Sequence, residues 1–331
     1  MLIPTLLAVT IAFPKPAQIL PPVETCYMNG AVPRGVTNLT VQGKSVEIYK
    51  TGGWVTMLDL HEGRNEIEIV AGDVTTNAIV TVEKKRPPKL DADGKPIVPP
   101  PRIYEKLPYA KDEARPKPVG KRPEEILVVL DPGHGGAKDT GAMSPHGHCE
   151  KDANLALAKE VRRALEARGY RVMMTREKDE PVNLMERARP ACEHDADAFI
   201  SIHHNAPGYT TDPRKVRYTA VYEWNAIGKE LASAVAARMA KALEGDIPSN
   251  GTMHANFAVT RNPQVPSCLI ETDFITTPEG EWAIWNAPRR RKIAEAIAEG
   301  VSDWCRVDGG AASSPPQEQG RLTFSAVGLE I

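Results

Sequence analysis

The sequence is poor in cysteine: 331 residues hold five, an odd number, and no two form a CxxC pair. That is neither a disulfide framework nor a zinc-finger pattern; one or two bridges stay open, with buried or free thiols as the expectation. No charge of one sign dominates, since 41 Lys and Arg stand against 43 Asp and Glu, a formal net charge of −2. A nucleic-acid partner, which requires a basic surplus, is therefore not expected. No apolar run reaches the length of a transmembrane helix. HExxH, a complete GxGxxG, a P-loop and a GxSxG elbow are all missing. Their absence removes the commonest signatures of metalloproteases, dinucleotide enzymes, NTPases and serine hydrolases.

What is present divides into five stretches. Residues 1–21 contain an apolar run at 2–13 of signal-peptide length, although Lys15 is the first charge and a basic n-region is lacking. They are read as an export segment, which places the protein in the periplasm or cell envelope; a buried first strand is the alternative. Residues 22–83 are rich in Val, Ile and Thr, alternate in places ("NEIEIV") and are cut by glycine turns. They predict a small β-sandwich, loosely similar to immunoglobulin-like modules of exported bacterial proteins. Residues 84–125 hold ten prolines and more basic than acidic residues, and read as a semi-rigid linker. The basic excess there suits either solvation or contact with an anionic polymer. Residues 308–331 form a low-complexity tail.

Residues 126–307 alternate strand and helix: strands at "ILVVLD", "YRVMMTR", "DAFISIHHN", "RYTAVYEW" and "SCLIETDF", and helices opening at "KDANL", "VNLMER", "NAIGKE" and "RRRKIA". Leu155, Ala158, Val161 and Leu165 mark the apolar stripe of the first helix, which Gly169 ends. The expected fold is α/β, a mostly parallel twisted sheet with helices on both faces.

In such sheets, sites gather at the carboxyl ends of strands. Four polar residues fall there: His134 in "DPGHGG", His203 in "SIHHN", Glu271 in "CLIE", and Glu150, just before the first helix. Two imidazoles and a carboxylate form a zinc ligand set with a fourth position open to water, and a second carboxylate can move the water's proton. Each residue alone also has a structural explanation: a turn histidine, a strand-end histidine, a glutamate at a helix start, an ion-pair partner.

The blocks "VVLDPGHGGAKDTGA", "EKDANLALAKEVRRALEARGYRVMMTR", "LMERARPA", "ADAFISIHHNA" and "VPSCLIETDFITTPEGE" resemble, in order, those of the zinc-dependent N-acetylmuramoyl-L-alanine amidases of the amidase-3 type, across residues 126–306. The resemblance implies one Zn2+ held by His134, Glu150 and His203, with Glu271 as the catalytic glutamate. It implies hydrolysis of the amide between the lactyl group of N-acetylmuramic acid and the stem-peptide L-alanine, with peptidoglycan as substrate. Wall contact through the β-domain is a further expectation. Asp131 is expected to orient the ligand or its turn, Asn154 to bond Glu150 or that turn, and Arg176 and Arg187 to form ion pairs at the sheet edge. Departures from the family pattern are His204, on the opposite face of its strand from His203; His146, His148 and Cys149, which compete with Glu150 as ligands; and Asp273, a candidate groove residue. Regulated members carry an inserted helix that plugs the site, for which "PGYTTDPRKV" leaves no room, so an open site is expected. A non-catalytic wall-binding module of this fold, and another zinc peptidase or deacetylase, are the alternative readings.

Overall fold

The computed structural model describes residues 8–87, 93, 95 and 107–306, which form two lobes. The first 7 residues, the centre of the proline-rich stretch and the tail from 307 lie outside the described residues. The first lobe contains β1 (Thr10–Phe13), β2 (Ile19–Leu20), β3 (Thr25–Ala31), β4 (Leu39–Val41), β5 (Lys44–Ser45), β6 (Gly53–Asp59), β7 (Gly63–Ala71) and β8 (Val74–Val82). They make two sheets, β1-β3-β6 and β2-β8-β7-β4-β5. Strand β7 shows why they close on each other: Ile67 and Ile69 are buried while Glu66 and Glu68 face water. Those isoleucines meet Val80, Met28, Leu58 and the buried Trp54 between the sheets.

This sandwich begins earlier than residue 22. Strand β1 pairs antiparallel with β3, and β2 pairs parallel with β8, so the stretch read as an export segment contributes two strands. A short apolar run such as "TIAF" satisfies a strand as well as a signal segment, and pairing with β3 decides its conformation here.

The second lobe carries β9 (Leu127–Pro132), α1 (Glu150–Glu166), β10 (Arg171–Met174), α2 (Arg189–Glu193), β11 (Ala198–Asn205), β12 (Thr219–Glu223), α3 (Ala226–Ala242), β13 (Ser249–His254), β14 (Ser267–Phe274), α4 (Pro278–Trp285) and α5 (Ala287–Arg306). The sheet order is β10-β9-β11-β14-β12-β13, parallel except where β12 runs against β14. Helices cover both faces, unequally. Helices α1, α3 and α5 bury one face against Val128, Leu130, Ile200 and Ile270. The short α2 and coil cover the other face, over Val129, Phe199 and Leu269.

Two sequence expectations shift by a residue or two. On α1 the buried stripe is Asn154, Leu157, Ala158, Val161 and Leu165; Leu155 is only half-buried. The helix expected across Pro190 is a 3-10 turn at Leu184–Glu186 followed by α2, with Pro190 in its first turn, where its missing N–H costs nothing. Strand β13 and helix α4 lacked a clear periodic signal and were not anticipated.

The linker reading needs the larger correction. Residues 107–125 lie against the second lobe: Leu107 and Ala110 are buried in the core under the sheet, and Arg115 N–H donates to the Gln264 carbonyl. The basic side chains find carboxylates on that lobe, as Lys117 meets Glu230 at 2.7 Å and Lys121 meets the buried Asp197 at 2.6 Å. The basic excess of this half of the stretch therefore pairs within the chain. All five cysteines are unbridged, and four of them are buried.

Phe199 fills the centre of the second face with no exposed surface. Phe199→Ala is expected to cost about 3–5 kcal/mol, read as a lowered urea midpoint of the second lobe; an unchanged midpoint would contradict this packing.

Candidate metal centre

The parallel sheet brings the site together by register. Strands β9, β11 and β14 are neighbours, His203 is paired directly with Glu271, and Ile202 with Pro132 at the head of the glycine turn. The turn then takes His134 into the left-handed region, at φ 61°, unusual for a residue with a side chain. Gly133 is required by close approach, because a Cβ there would lie 2.1 Å from His203 Nε2. Gly141 is required twice over: its φ is +64°, and a Cβ would lie 2.6 Å from Glu150 Oε2.

His134, Glu150 and His203 present ligand atoms all within 4.8 Å of one another. The His134 and His203 rings stand edge to face, 4.9 Å between centroids. Glu150 lies between them, with Oε1 2.9 Å from His203 Nδ1 and Oε2 3.2 Å from His134 Nε2. The second approach lacks hydrogen-bond geometry, so His134 Nε2 is buried without a partner. Main-chain amides also hold the carboxylate: Ala142 N–H donates to Oε2 at 2.9 Å and His204 N–H to Oε1 at 3.2 Å. Asn154, one helical turn on, donates to Oε1 and to the Gly133 carbonyl, so it does both things expected of it.

The electrostatics follow from burial. Burial opposes the charge on Glu150, but the two imidazoles outweigh it and hold the carboxyl well below its usual range. Burial also opposes the imidazolium of His134, yet Glu150 and Asp139 raise it to about 10. Glu271 moves the other way: burial and the Glu150 charge hold it well above the ordinary carboxylate range. Its Oε2 is buried without a partner. Glu271 lines a cleft with His134, His203, Leu184, Phe257 and Val259.

Asp131 does not touch the His134 ring. It accepts from Thr175, Ser201 and Arg187, and thereby fixes the turn. Arg187, ion-paired as expected, also donates to the His134 carbonyl at 2.9 Å. Arg176 departs from expectation: its partners are the carbonyls of Pro132, Gly133, Lys151 and Lys178, not a carboxylate. The residue on the His134 ring is Asp139, 2.5 Å from Nδ1, which the sequence reading missed. The signal was available in "HGGAKD", where Gly135 N–H bonds the Asp139 carbonyl and closes the loop.

The departures resolve as follows. His204 is buried, 2.7 Å from Asn154 Oδ1, and burial pushes its imidazole down to about 3, so it is neutral. His146 faces Glu281 and the first lobe, not the cluster. His148 Nε2 lies 3.8 Å from Glu281, and Cys149 is the cap residue of α1. Asp273 is not a groove residue: it has no exposed surface, and Arg217 grips it with two bonds and Arg289 with a third.

Comparison with known proteins gives the family. The family described as N-acetylmuramoyl-L-alanine amidase matches residues 128–303. N-acetylmuramoyl-L-alanine amidase AmiA of Escherichia coli K12 is 35% identical over 240 residues, 58% of this chain and 79% of that protein. AmiC of Neisseria meningitidis serogroup B is 33% identical over 229 residues, and the match spans 55% of this chain and about half, 52%, of that relative. The solved structure of amidase AmiC2 of Nostoc punctiforme superposes with a TM-score of 0.51 at 36% identity, covering 54% of this chain and 97% of that one. Through residues 128–303, more than half of its length, the chain belongs to the N-acetylmuramoyl-L-alanine amidases.

Proposed function

We propose that His134, Glu150 and His203 hold one Zn2+ and that Glu271 is the catalytic glutamate in hydrolysis of the amide between the N-acetylmuramic acid lactyl group and L-alanine. The observation that carries this reading is a buried carboxylate facing two imidazoles, with His134 Nε2 and Glu271 Oε2 both left without partners. Buried polar atoms are rarely orphaned without a functional reason. Two nitrogens and a carboxylate suit zinc better than magnesium, which prefers an all-oxygen shell. Bound there, the ion would polarise the scissile carbonyl and acidify a water molecule.

The protein's own groups supply the rest. Asp139 accepts from His134 Nδ1, so that with the ion bound Nε2 would be the lone-pair nitrogen turned to the cluster. Glu271, held protonatable by burial, takes the proton of the attacking water and delivers it to the leaving nitrogen, so that the C–N bond breaks to a lactyl carboxylate and an amine. Leu184, Phe257 and Val259 give the cleft an apolar side next to it.

A wall substrate places the action outside the cytoplasmic membrane, and we read the chain as exported. Among the described residues, no helix is long and apolar enough to cross a membrane. Exposed Ile19, Val74 and Ile79 on the five-stranded sheet support a wall contact by the β-lobe. The segment 206–218 holds one 3-10 turn, Pro213–Lys215, which supports an open site.

Two outcomes test this. The purified full-length protein is expected to release intact stem peptides from isolated sacculi with no added partner, leaving bare glycan by mass spectrometry; cut stems, lost acetyl groups or dependence on a partner would contradict it. Glu271→Gln is expected to lower kcat/KM by about 100-fold or more with its zinc content unchanged, whereas equal activity would remove Glu271 from the chemistry.

A further inference from the structure

The β-lobe touches three of the segments that flank the candidate site, those next to Glu150, Glu271 and His203. Asn29, in β3, has no exposed surface, and its Nδ2 donates to the Met143 carbonyl at 3.2 Å and the Thr276 carbonyl at 2.9 Å. One amide group thus ties the loop before Glu150 to the loop after Glu271. Its Oδ1 is buried without a partner, and flipping the amide would set that oxygen against two carbonyls. A buried orphan acceptor is a liability that an apolar side chain would avoid, so the donors of Asn29 are what the position retains.

His146 makes the second tie. Its Nδ1 lies 2.7 Å from Glu281 Oε2, and its Nε2 lies 3.0 Å from the Thr51 carbonyl of the β-lobe. Both ring nitrogens face acceptors, and an imidazole donates to two acceptors only when doubly protonated. Glu281 is the charged group opposite it on α4, also bound by Ser144 and approached by His148; the β-lobe offers the Thr51 carbonyl. Burial works against the charge, but Glu281 and Thr51 raise the imidazole above its usual value. The double bond is therefore present through the ordinary histidine range and lost as pH rises through the raised value. Third, Tyr27 N–H donates to the carbonyl of Tyr209, in the segment that follows His203, and the Tyr209 ring stacks on Phe13 of β1.

These contacts reach the site in one step. Met143 adjoins Ala142, whose N–H holds Glu150 Oε2 and whose carbonyl accepts from Glu150 N–H. Ile275 N–H bonds the Asn205 carbonyl, linking the segments after Glu271 and His203. We propose that the β-lobe is a fixed part of the catalytic apparatus, with Asn29 and His146 as positioning residues for the segment 142–150 that ends on Glu150. The proposal rests on Glu150 being a metal ligand.

The test compares full-length, zinc-loaded Asn29→Ala, His146→Ala and His146→Gln with the parent. Turnover on a muropeptide should fall about 10- to 100-fold in both alanine variants, with KM within about twofold. Hydrogen exchange at the Ala142 and Glu150 amides should speed up. The glutamine amide has two donors that do not titrate, so His146→Gln should keep more of kcat than His146→Ala and lose the alkaline fall of the parent. Parental kcat in the alanine variants, or reduced kcat with unchanged exchange in 142–150, would overturn the proposal. If Asn29→Ala unfolds the β-lobe by circular dichroism, the two His146 variants decide it by the same criteria. Glu150→Ala is run in parallel for zinc content: retained zinc would refute the ligand assignment, while exchange and kcat in the other variants still decide whether the lobe positions this segment.

Discussion

A carboxylate taken out of water has to be matched by donors or by positive charge, and the second lobe is arranged around that requirement at Glu150. Its side chain is 5% exposed. Two imidazoles, two main-chain amides and Asn154 converge on its two oxygens. Remove these partners and a buried charge remains uncompensated, which costs several kcal/mol in a protein interior (about 3–5 for a broken buried pair). A divalent cation among the same atoms would meet the same need.

The rest of the lobe supplies rigidity to that cluster. The left-handed turn at His134 is strained for a residue with a Cβ, and two buried arginines hold it in place. Arg187 bonds the Pro132 and His134 carbonyls while pairing with Asp131, and Arg176 bonds the Pro132 and Gly133 carbonyls. A guanidinium serves here because its planar fork reaches several acceptors at once, which an ammonium on a flexible stem does not. Asp131, Arg176 and Arg187 thus act on the backbone that carries His134.

Much of this was legible in the sequence because it depends on local pattern. The buried runs "ILVVLD", "DAFISIHHN" and "SCLIETDF" announce central strands, and His134, His203 and Glu271 follow from strand ends. Glu150 follows from the helix start. What escaped depends on contacts between distant segments. Asp139 needed the closed loop, Arg176 needed the crowd of carbonyls it serves, and Asp273 needed Arg217 and Arg289, 56 and 16 residues away. The "TIAF" run and the second half of the proline-rich stretch were misread for one reason: composition does not reveal a partner. Strand β3 gives the first its pairing, and Gln264, Glu230 and Asp197 give the second its anchorage.

The two lobes meet beside the edge of the sheet that carries the candidate cluster, where Gly53 approaches Pro145 and Pro278 closely enough that a Cβ would stand 3.1–3.2 Å from both. Such contact makes the β-lobe a wall of the same edge that carries the cluster, whatever else it binds. The proposed zinc site is defined by the atoms that would form its shell. X-ray absorption at the zinc edge of the loaded, full-length protein reads that shell directly. The account predicts scattering from two imidazoles with carboxylate oxygen and no sulfur. A sulfur ligand from Cys149, or a third imidazole from His146 or His148, would contradict it.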